Sequence, residues 1–561
     1  MTAELARAGG VIGVAGLSAV IAAPARLQRL AGLAAWALGS AFLTIYLAPK
    51  GHTALLAAAA VFGLALAAGV AALFRRWPWL LALSALACVP ARIHVTVGST
   101  EANLLVPLYG VAVAAALLLA WDLLRGTEKR RRSGPELGVA TWPLAAFVAW
   151  SGLSLLWADD LRQGSIDLLF FYLPFGLLAV ALARLPWRRL WVLALLAELV
   201  AMALVFGVVG MYQYQTRDIF WNPKVRIGNA YAPFYRVNSV FWDPSIYGRF
   251  LVVAILACLV VVLFGRDRRV LAGATAAIAV IWVGLLFSFS QSSFAALIAG
   301  VVLAALFAWR RRGLALAGVA AAVLAVGALA VPNVRHDLFG NGSGLNSASG
   351  GRGTLVRKGI RIAVHHPVAG VGIGGFKRAY ADLTHLKGKE PKAAASHDTP
   401  VTVAAETGLP GLLLLGWLLL AGLSLAFRRF ARDLPGLAAL VFGLVFAAIA
   451  VHSLFYNAFF EDPTVWGVLA LAAVAAREPK APLAVPSSGE AGSARGPVCT
   501  DRSTRWGSLR DRLLARRRDE RPEPAQLDRK VEPEREQDQR VDGAQGERAR
   551  ERDVERLPER G

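Results

Sequence analysis

The feature that most constrains the fold is the repetition of long apolar runs along the chain. Runs of roughly 17–25 residues alternate with clusters of charge, and a helix of this length crosses about 30 Å of hydrocarbon. Hydrophobic residues make up 56% of the 561 residues, which is more than a soluble protein of this size needs. The sequence therefore predicts an all-α polytopic membrane protein with about 12–15 transmembrane helices.

The apolar runs also give a domain organisation. N-terminal transmembrane helices are predicted over 1–139 and a second membrane region over 140–476. A glycine-rich stretch at about 11–24 is predicted either to span the membrane or to lie at its interface. The other predicted spans are 31–48, 54–74, 79–95, 104–122, 140–157, 167–184, 189–212, 245–264, 270–288, 292–309, 313–331, 401–427, 435–455 and 463–476.

Basic clusters orient these spans. Alternate connections are dense in Lys and Arg, and cytoplasmic loops are the ones enriched in these residues, so the remaining connections are predicted to be external. The formal net charge of +22 follows mainly from these anchors, and no nucleic-acid binding is predicted. The clusters are Arg75–Arg76, Lys129–Arg132, Arg188–Arg189, Arg266–Arg269, Arg310–Arg312 and Arg428–Arg432.

Two predicted external loops, 213–244 and 332–400, depart from this pattern because they are long and rich in cations. Cations on the side where the topology rule predicts few of them need a separate reason. The pattern favours an anionic ligand on the outer face. The alternative is that these loops lie against lipid headgroups, which are themselves anionic.

The C-terminal segment 477–561 has a different composition, rich in Arg, Glu, Asp, Pro and Gln. Such a segment cannot bury a core and is predicted to be a disordered cytoplasmic tail. The three cysteines, Cys88, Cys258 and Cys499, lack the spacing of metal ligands or of a disulfide framework. The sequence predicts no metal site and no cofactor.

Two polar stretches near the predicted outer face precede the large loop. In YRVNSVFWDPSIYGRFL (235–251), Arg236 comes before an Asp-Pro turn that predicts a helix start. Arg249 follows about one turn later, where it must reach the interface or pair with an anion. In FSFSQSSFAALIAG (287–300), Gln291 and its serine neighbours either offer polar groups to a sugar or cap a helix.

Two further stretches lie in and after the large loop. Residues 354–364 have the pattern of a short amphipathic helix with Arg357, Lys358 and Arg361 on its basic side. A glycine-rich run follows, and without strand–helix context it does not predict a dinucleotide site. In AASHDTPVTVAAETGLPG (394–411), His397 precedes an apolar span, Glu406 lies within it, and the Gly-Leu-Pro-Gly predicts close packing or a kink.

These residues in this order resemble the O-antigen ligase and polymerase superfamily of bacterial envelope glycosyltransferases. The resemblance covers about 140–475 and includes Arg236 before the Asp243-Pro244 turn. It also includes Arg352 followed by HPVAGVG, and His397 followed by ETGLPG. Two departures stand out: Gln291 occupies a position where the family usually has a cation, and Ser245 follows the proline in place of asparagine.

The resemblance implies a donor glycan linked through diphosphate to a polyprenol in the outer leaflet of the cytoplasmic membrane. The acceptor would be a hydroxyl of a lipid, glycan or protein. Arg236 and Arg352 would bind the diphosphate, since guanidinium groups bind such oxygens bidentately. His397 would activate the acceptor hydroxyl, because histidine changes charge near neutral pH. Further substrate contacts would come from Arg249, Arg357, Arg361, Gln291 and Glu406.

Three functions remain open at this stage. A ligase moves a finished glycan to its acceptor, and a polymerase joins repeat units; both would be metal-independent enzymes here. A transporter or flippase of polyprenol-linked or anionic solutes is the third. It predicts ionisable groups deep in several spans and an inverted repeat, whereas the sequence has few such groups and no evident repeat.

Overall fold

The computed structural model describes residues 2–49, 51, 53–97, 100–126, 135–231, 234–313, 315, 318, 352–385 and 396–479. Within these ranges twelve helices have the length and apolar character to cross a membrane, which confirms the predicted all-α polytopic fold. The predicted span 313–331 lies almost entirely outside the described residues, as does the predicted tail from residue 480 onward.

The described residues as far as Asp167 contain seven α-helices and a hairpin. A π-helical turn, Leu168–Tyr172, joins the helix Leu161–Asp167 to the helix Leu173–Ala183, so that Leu161–Ala183 forms a single span. Short 3-10 turns flank α6 at Gly138–Ala140 and Ser154–Trp157. The elements are α1 Thr2–Ala22, α2 Arg26–Leu47, α3 Thr53–Arg76, α4 Leu80–Ala87, β1 Ile93–Val97, β2 Thr100–Leu104, α5 Val106–Arg125, α6 Thr141–Leu153 and α7 Leu161–Asp167.

The remaining helices build the second half of the bundle. Asp and Ser side chains cap several of them, as the sequence pattern indicates: Asp243 caps α11, Ser290 caps α13 and Asp462 caps α18. The helices are α8 Leu173–Ala183, α9 Arg189–Thr216, α10 Pro223–Tyr231, α11 Pro244–Phe264, α12 Arg268–Ser288, α13 Gln291–Trp309, α14 Arg352–His365, α15 Phe376–Thr384, α16 Thr399–Phe427, α17 Leu434–His452 and α18 Pro463–Ala476.

Glycines let α1 and α2 approach each other closely. A Cβ atom on Gly39 would lie 2.3 Å from the backbone N of Gly13, and one on Gly16 would lie 2.3 Å from the backbone N of Trp36. Small residues at such positions allow helices to pack backbone against backbone in an apolar medium. The glycine-rich stretch at 11–24 therefore belongs to a 21-residue helix of spanning length, and not to a short interfacial segment.

The predicted span 79–95 is wrong as a single long helix. The structure has the eight-residue α4 followed by an antiparallel hairpin, in which Ile93 pairs with Leu104 and Val97 with Thr100. Pro90 lies between the two elements, and proline cannot continue a helix without losing a hydrogen bond. An apolar stretch of this composition can form either one long helix or a short helix with a hairpin, so composition alone could not distinguish the two.

The predicted cytoplasmic connections gather at one end of the bundle. Phe430, between α16 and α17, makes edge-to-face contacts with Phe264 at the end of α11 and Phe307 near the end of α13. Arg477 donates to the carbonyl of Ala183, so the ends of α8 and α18 meet there as well. This common end agrees with the alternation of basic clusters in the sequence, and the polar stretches discussed above lie at the opposite end.

A buried ion triad lies at this basic end of the bundle. Glu136 pairs with Arg29, and Arg184 Nη1 lies 2.9 Å from Glu136 Oε1. Burial by itself raises the pKa of the Glu136 carboxyl, but Arg29 and Arg184 outweigh it, so that the pKa lies below its ordinary value. The pairing therefore stabilises the fold above the ordinary carboxyl pKa, and this contribution is lost as pH falls through the lower folded value.

We predict that Glu136→Ala lowers the free energy of unfolding by about 3–5 kcal/mol, because it leaves two buried guanidinium charges without their carboxylate. The thermal unfolding midpoint in detergent measures the effect. Glu4→Ala is the matched control: it also breaks a Glu–Arg pair, but the Glu4 carboxylate that it removes is 76% exposed, so a change below about 1 kcal/mol is expected. Equal shifts for the two variants would contradict a structural role for the triad.

Candidate active site

A turn of buried serines joins α12 to α13 at the end of the bundle opposite the basic clusters. Phe289 adopts a left-handed conformation with φ 43°, and Ser290 then caps α13. The hydroxyl of Ser293 donates to that of Ser290 over 2.8 Å, and the Ser290 and Ser292 hydroxyls are 3.1 Å apart. The capped-turn prediction for this stretch is confirmed. Gln291 is exposed on the outer side of the same turn.

The loop that carries Arg236 is attached to this serine turn. Arg236 Nε donates to the carbonyl of Ser288 over 3.1 Å. Asn229, on α10, accepts from the Arg236 backbone N–H over 3.0 Å and donates to its carbonyl over 2.8 Å. Further along the loop, the Gln213 side-chain amide likewise donates to the Ser239 carbonyl and accepts from the Ser239 N–H. Two amide side chains and one guanidinium group therefore fix the path of the loop.

Arg249 lies one turn into α11, where it forms a buried ion pair. Its Nε is 2.8 Å from Asp462 Oδ2, and both side chains are almost fully buried. Within the described residues Arg249 Nη1 has no hydrogen-bond partner. Arg92 and Glu461 line the same small cavity. Burial raises the pKa of the Glu461 carboxyl, and Arg92 and Arg249 partly oppose that effect.

His397 lies in a sharp turn just before α16. It is half-buried and has a positive φ of 62°, a conformation that is unfavourable for a residue with a Cβ atom. The turn is held from both sides, since Ser396 Oγ donates to the Asp398 carbonyl over 2.7 Å and Asp398 accepts from Val401 N–H over 2.9 Å. Burial raises the pKa of the Asp398 carboxyl, and the bond from Val401 opposes it.

Helix α14 confirms the predicted amphipathic helix of the large loop. Leu355 and Ile362 are buried, whereas Arg357 and Arg361 are exposed. Within the described residues neither of these two arginines has an ion-pair partner. Arg352 is the first residue of this helix, and its side chain is outside what the structure describes.

An apolar groove of about 350 Å³ separates α14 from the first half of α16. It begins within a few residues of the His397 turn and runs beside the exposed arginines of α14. Among the described residues, no charged side chain lines its walls. The residues that line it are Ile360, Ala363, Val364, Pro367, Pro400, Val401, Ala404, Leu409 and Leu412.

The HPVAGVG and ETGLPG segments meet in a kink of α16. Gly408 has non-helical angles of φ 69° and ψ −171°, which confirms the predicted kink. The glycine-rich loop supplies replacement hydrogen bonds there: Val371 N–H donates to the Ala405 carbonyl over 3.0 Å, and Gly372 N–H donates to the Glu406 carbonyl over 2.8 Å. The two sequence motifs are therefore two halves of one structural feature.

The same loop is fixed from further directions. Leu409 N–H donates to the Pro367 carbonyl over 2.7 Å. Trp150 and Trp157 donate from their indole N–H groups to the carbonyls of Thr407 and Ala369, over 2.8 and 3.0 Å. Since these donors come from α6 and the turn after it, the loop connects three parts of the bundle.

The Glu406 side chain accepts a hydrogen bond from the protein backbone. Its Oε1 accepts from Phe376 N–H over 3.3 Å, at the first residue of α15. An acidic group at a helix N-terminus is stabilised by the unpaired amides there. The family resemblance predicts a substrate contact for Glu406, and the contact that the structure gives its side chain is with the start of α15.

Sequence reasoning missed His452, the last residue of α17. It is fully buried, and its Nε2 lies 3.0 Å from Ser292 Oγ. The next residue, Ser453, accepts through its carbonyl from Thr399 N–H over 2.9 Å. A lone histidine at the end of an apolar run gives no periodic signal; the one available cue is the polar break HSLFYN at 452–457.

The structure brings several of the candidate residues together at one end of the bundle. Hydrogen bonds connect the Arg236 loop, the serine turn, His452 and the start of α16 beside His397, in that order. Arg249 is held by Asp462, and Glu406 lies at the α16 kink. The molecule is thus a multi-pass helical membrane protein in which these polar groups are gathered where loops meet the helix ends.

Comparison with known families agrees with this description. The family model described as O-antigen ligase matches residues 276–416, which confirms the resemblance of this chain to the O-antigen ligase superfamily. That family consists of membrane glycosyltransferases of the ligase and polymerase types. The match runs from α12 to the kink of α16, so it contains the serine turn, α14, His397 and Glu406. No curated protein matches the chain.

We predict that Gly372→Ala destabilises the protein by about 1–3 kcal/mol or more, because a residue with a Cβ is strained at its φ of 82°. That Cβ would also lie 2.2 Å from the Ala158 Cα atom. Gly416→Ala is the control: it lies in the straight part of α16, where an added Cβ would have no atom from another part of the structure within 4 Å, and it should stabilise the helix by about 0.5–1 kcal/mol. Thermal unfolding of the two purified variants measures both effects. The same change in unfolding midpoint for both would contradict the close packing of Gly372 at the α16 kink.

Proposed function

We propose that this protein is a glycosyltransferase that acts on the outer face of the cytoplasmic membrane. It transfers a glycan from a polyprenyl-diphosphate donor to an acceptor hydroxyl, as an O-antigen ligase does. The observation that carries the proposal is the meeting of the Arg236 loop and the His397 turn around the serine turn and His452. The family match supports the reaction class, and the alternation of basic clusters supports the side of the membrane.

The surroundings of α14 suit the donor in our proposal. Its exposed arginines, Arg357 and Arg361, lie beside the apolar groove. The arginines would bind the diphosphate, and the groove would hold the hydrocarbon chain of the same donor. Arg352 begins the same helix, and Arg236 is bonded to the serine turn at this end of the bundle. Guanidinium groups hold phosphate oxygens bidentately and keep their charge when desolvated. Gln291 offers an exposed amide to a sugar hydroxyl at the same end.

The proposed reaction is a single displacement at the anomeric carbon. The acceptor oxygen forms a bond to that carbon while the bond from the carbon to the diphosphate oxygen breaks. The acceptor proton passes to the imidazole of His397, and the bonding pair leaves with the polyprenyl diphosphate. Fixed cations opposite the charge that develops on the leaving group lower the barrier. The chemistry balances without a metal ion.

A repeat-unit polymerase is the second candidate, since the family that matches residues 276–416 includes both types of enzyme. The two differ in the acceptor: a polymerase accepts the free end of another lipid-linked glycan, whereas a ligase accepts a different molecule. A transporter of polyprenol-linked solutes would move the same donor without breaking its glycosidic bond.

We predict that His397→Ala lowers turnover by about 10²–10⁴-fold, because the general base is lost. Arg352→Ala should lower it by about 10²–10³-fold, because a cation opposite the leaving group is lost. Release of polyprenyl diphosphate from a lipid-linked glycan, in proteoliposomes with an acceptor, measures both. The controls are His365→Ala and Arg162→Ala, which remove exposed side chains of the same types and should leave turnover within a factor of about three.

The products of the same assay decide between the candidates. One glycan per acceptor supports a ligase, and a ladder spaced by the repeat unit supports a polymerase. Movement of the donor across the bilayer without release of diphosphate would overturn both enzyme assignments. Full turnover by both His397→Ala and Arg352→Ala would refute the assigned roles even if the enzyme class were correct.

A further inference from the structure

We propose that His452 is a positioning residue that sets the distance between the donor-binding and acceptor-activating parts of the site. The inference rests on the proposed function and adds to it a residue that lies outside the matched segment 276–416. His452 does not contact substrate in this proposal. It acts through Ser292 on one side and through the end of α17 on the other.

The first observation is the burial and bonding of the imidazole. His452 is 0% exposed and Ser292 is 3% exposed. Their polar atoms, Nε2 and Oγ, are 3.0 Å apart, and the Tyr456 ring lies edge-on at 5.7 Å between centroids. A buried polar group is costly unless it is hydrogen-bonded, so this bond fixes the relative positions of α13 and α17 more narrowly than apolar packing would.

The second observation is the chain of hydroxyls that begins at Ser292. Ser292 contacts Ser290, which accepts from Ser293, and Ser293 in turn contacts the Ser245 carbonyl over 3.4 Å. A Cβ on Gly248 would lie 2.6 Å from the Ser293 hydroxyl oxygen, so α11 and α13 are in close contact at this point. Through this chain the imidazole is coupled to the turn on which Arg236 rests.

The third observation is the contact on the opposite side of His452. The Ser453 carbonyl accepts from Thr399 N–H over 2.9 Å, two residues after His397. The end of α17 therefore carries the first residue of α16 and, with it, the turn that presents His397. A shift of α17 along its axis would move His397 relative to Arg236 while both local turns kept their own hydrogen bonds.

This coupling predicts a particular kinetic effect. Donor affinity depends on the arginines, which keep their local supports, so KM for the donor should change little. The chemical step requires the acceptor oxygen to be aligned with the anomeric carbon, and a misplacement of about 1 Å costs up to about a hundredfold in rate. Loss of the Ser292–His452 bond should therefore lower kcat selectively.

The test uses the full-length protein in proteoliposomes, with a polyprenyl-diphosphate glycan and acceptor. His452→Phe fills the space without the hydrogen bond, and Ser292→Ala removes the same bond by deleting one oxygen atom. Each should lower kcat per folded molecule by about ten- to a hundredfold, with the donor KM within about threefold.

His452→Gln, whose amide can bond Ser292, should recover most of the rate. The double variant His452→Phe with Ser292→Ala should be no slower than the slower single variant, because coupled residues are not additive.

Leu444→Ala is the matched control, since it removes a fully buried side chain from the same helix without a polar contact. It should lower the unfolding midpoint but leave kcat per folded molecule unchanged. If the His452 and Ser292 variants behave like this control, the residue is only structural and the proposal is wrong. Additive losses in the double variant would overturn it as well. A wild-type protein with no release of diphosphate would instead reject the proposed function itself, together with this inference.

Discussion

The insertion of the glycine-rich loop into the kink of α16 is the constraint on which the rest of the structure depends. The kink at Gly408 frees the backbone carbonyls of Ala405 and Glu406, and unpaired carbonyls are costly in an apolar interior. Val371 and Gly372 supply the missing donors. Only a residue without a Cβ fits at Gly372, where the Ala158 backbone is in contact. Because these bonds hold, the large loop returns to the bundle, and α14 and the His397 turn are placed beside α16.

A site built in this way draws its residues from separate parts of the chain. The segment that matches the family holds the loop, α14, the serine turn and His397. Arg236 precedes it and His452 follows it, and both contact the serine turn, at Ser288 and at Ser292. The serine turn is therefore more than a helix cap. Its short, buried side chains contact α11 on one side and α17 on the other. The spaces between these helices are too small for larger side chains.

Features encoded in neighbouring residues could be predicted from the sequence, whereas features made by distant residues could not. Span lengths, the amphipathic α14, the capped start of α13 and the kink at Gly408 all follow from local patterns. The hairpin after α4 was missed because apolar composition outweighed the signal of Pro90. The contact of Glu406 with Phe376 N–H, the pairing of Arg249 with Asp462, and the contact of His452 with Ser292 need the fold, since no local pattern relates the two members of each pair.

The arginines of this end of the bundle differ in what they can offer an anion. Arg249 is already neutralised by Asp462, whose Oδ2 lies 2.8 Å from its Nε, so a phosphate there would have to compete with a buried carboxylate for the guanidinium charge. Breaking such a buried pair is costly. Arg357 and Arg361 are exposed and have no ion-pair partner among the described residues, so a phosphate can bind them without displacing a protein carboxylate. Electrostatics thus favours α14 over α11 as the source of cations for a diphosphate, and it leaves Arg249 to hold the start of α18 against α11.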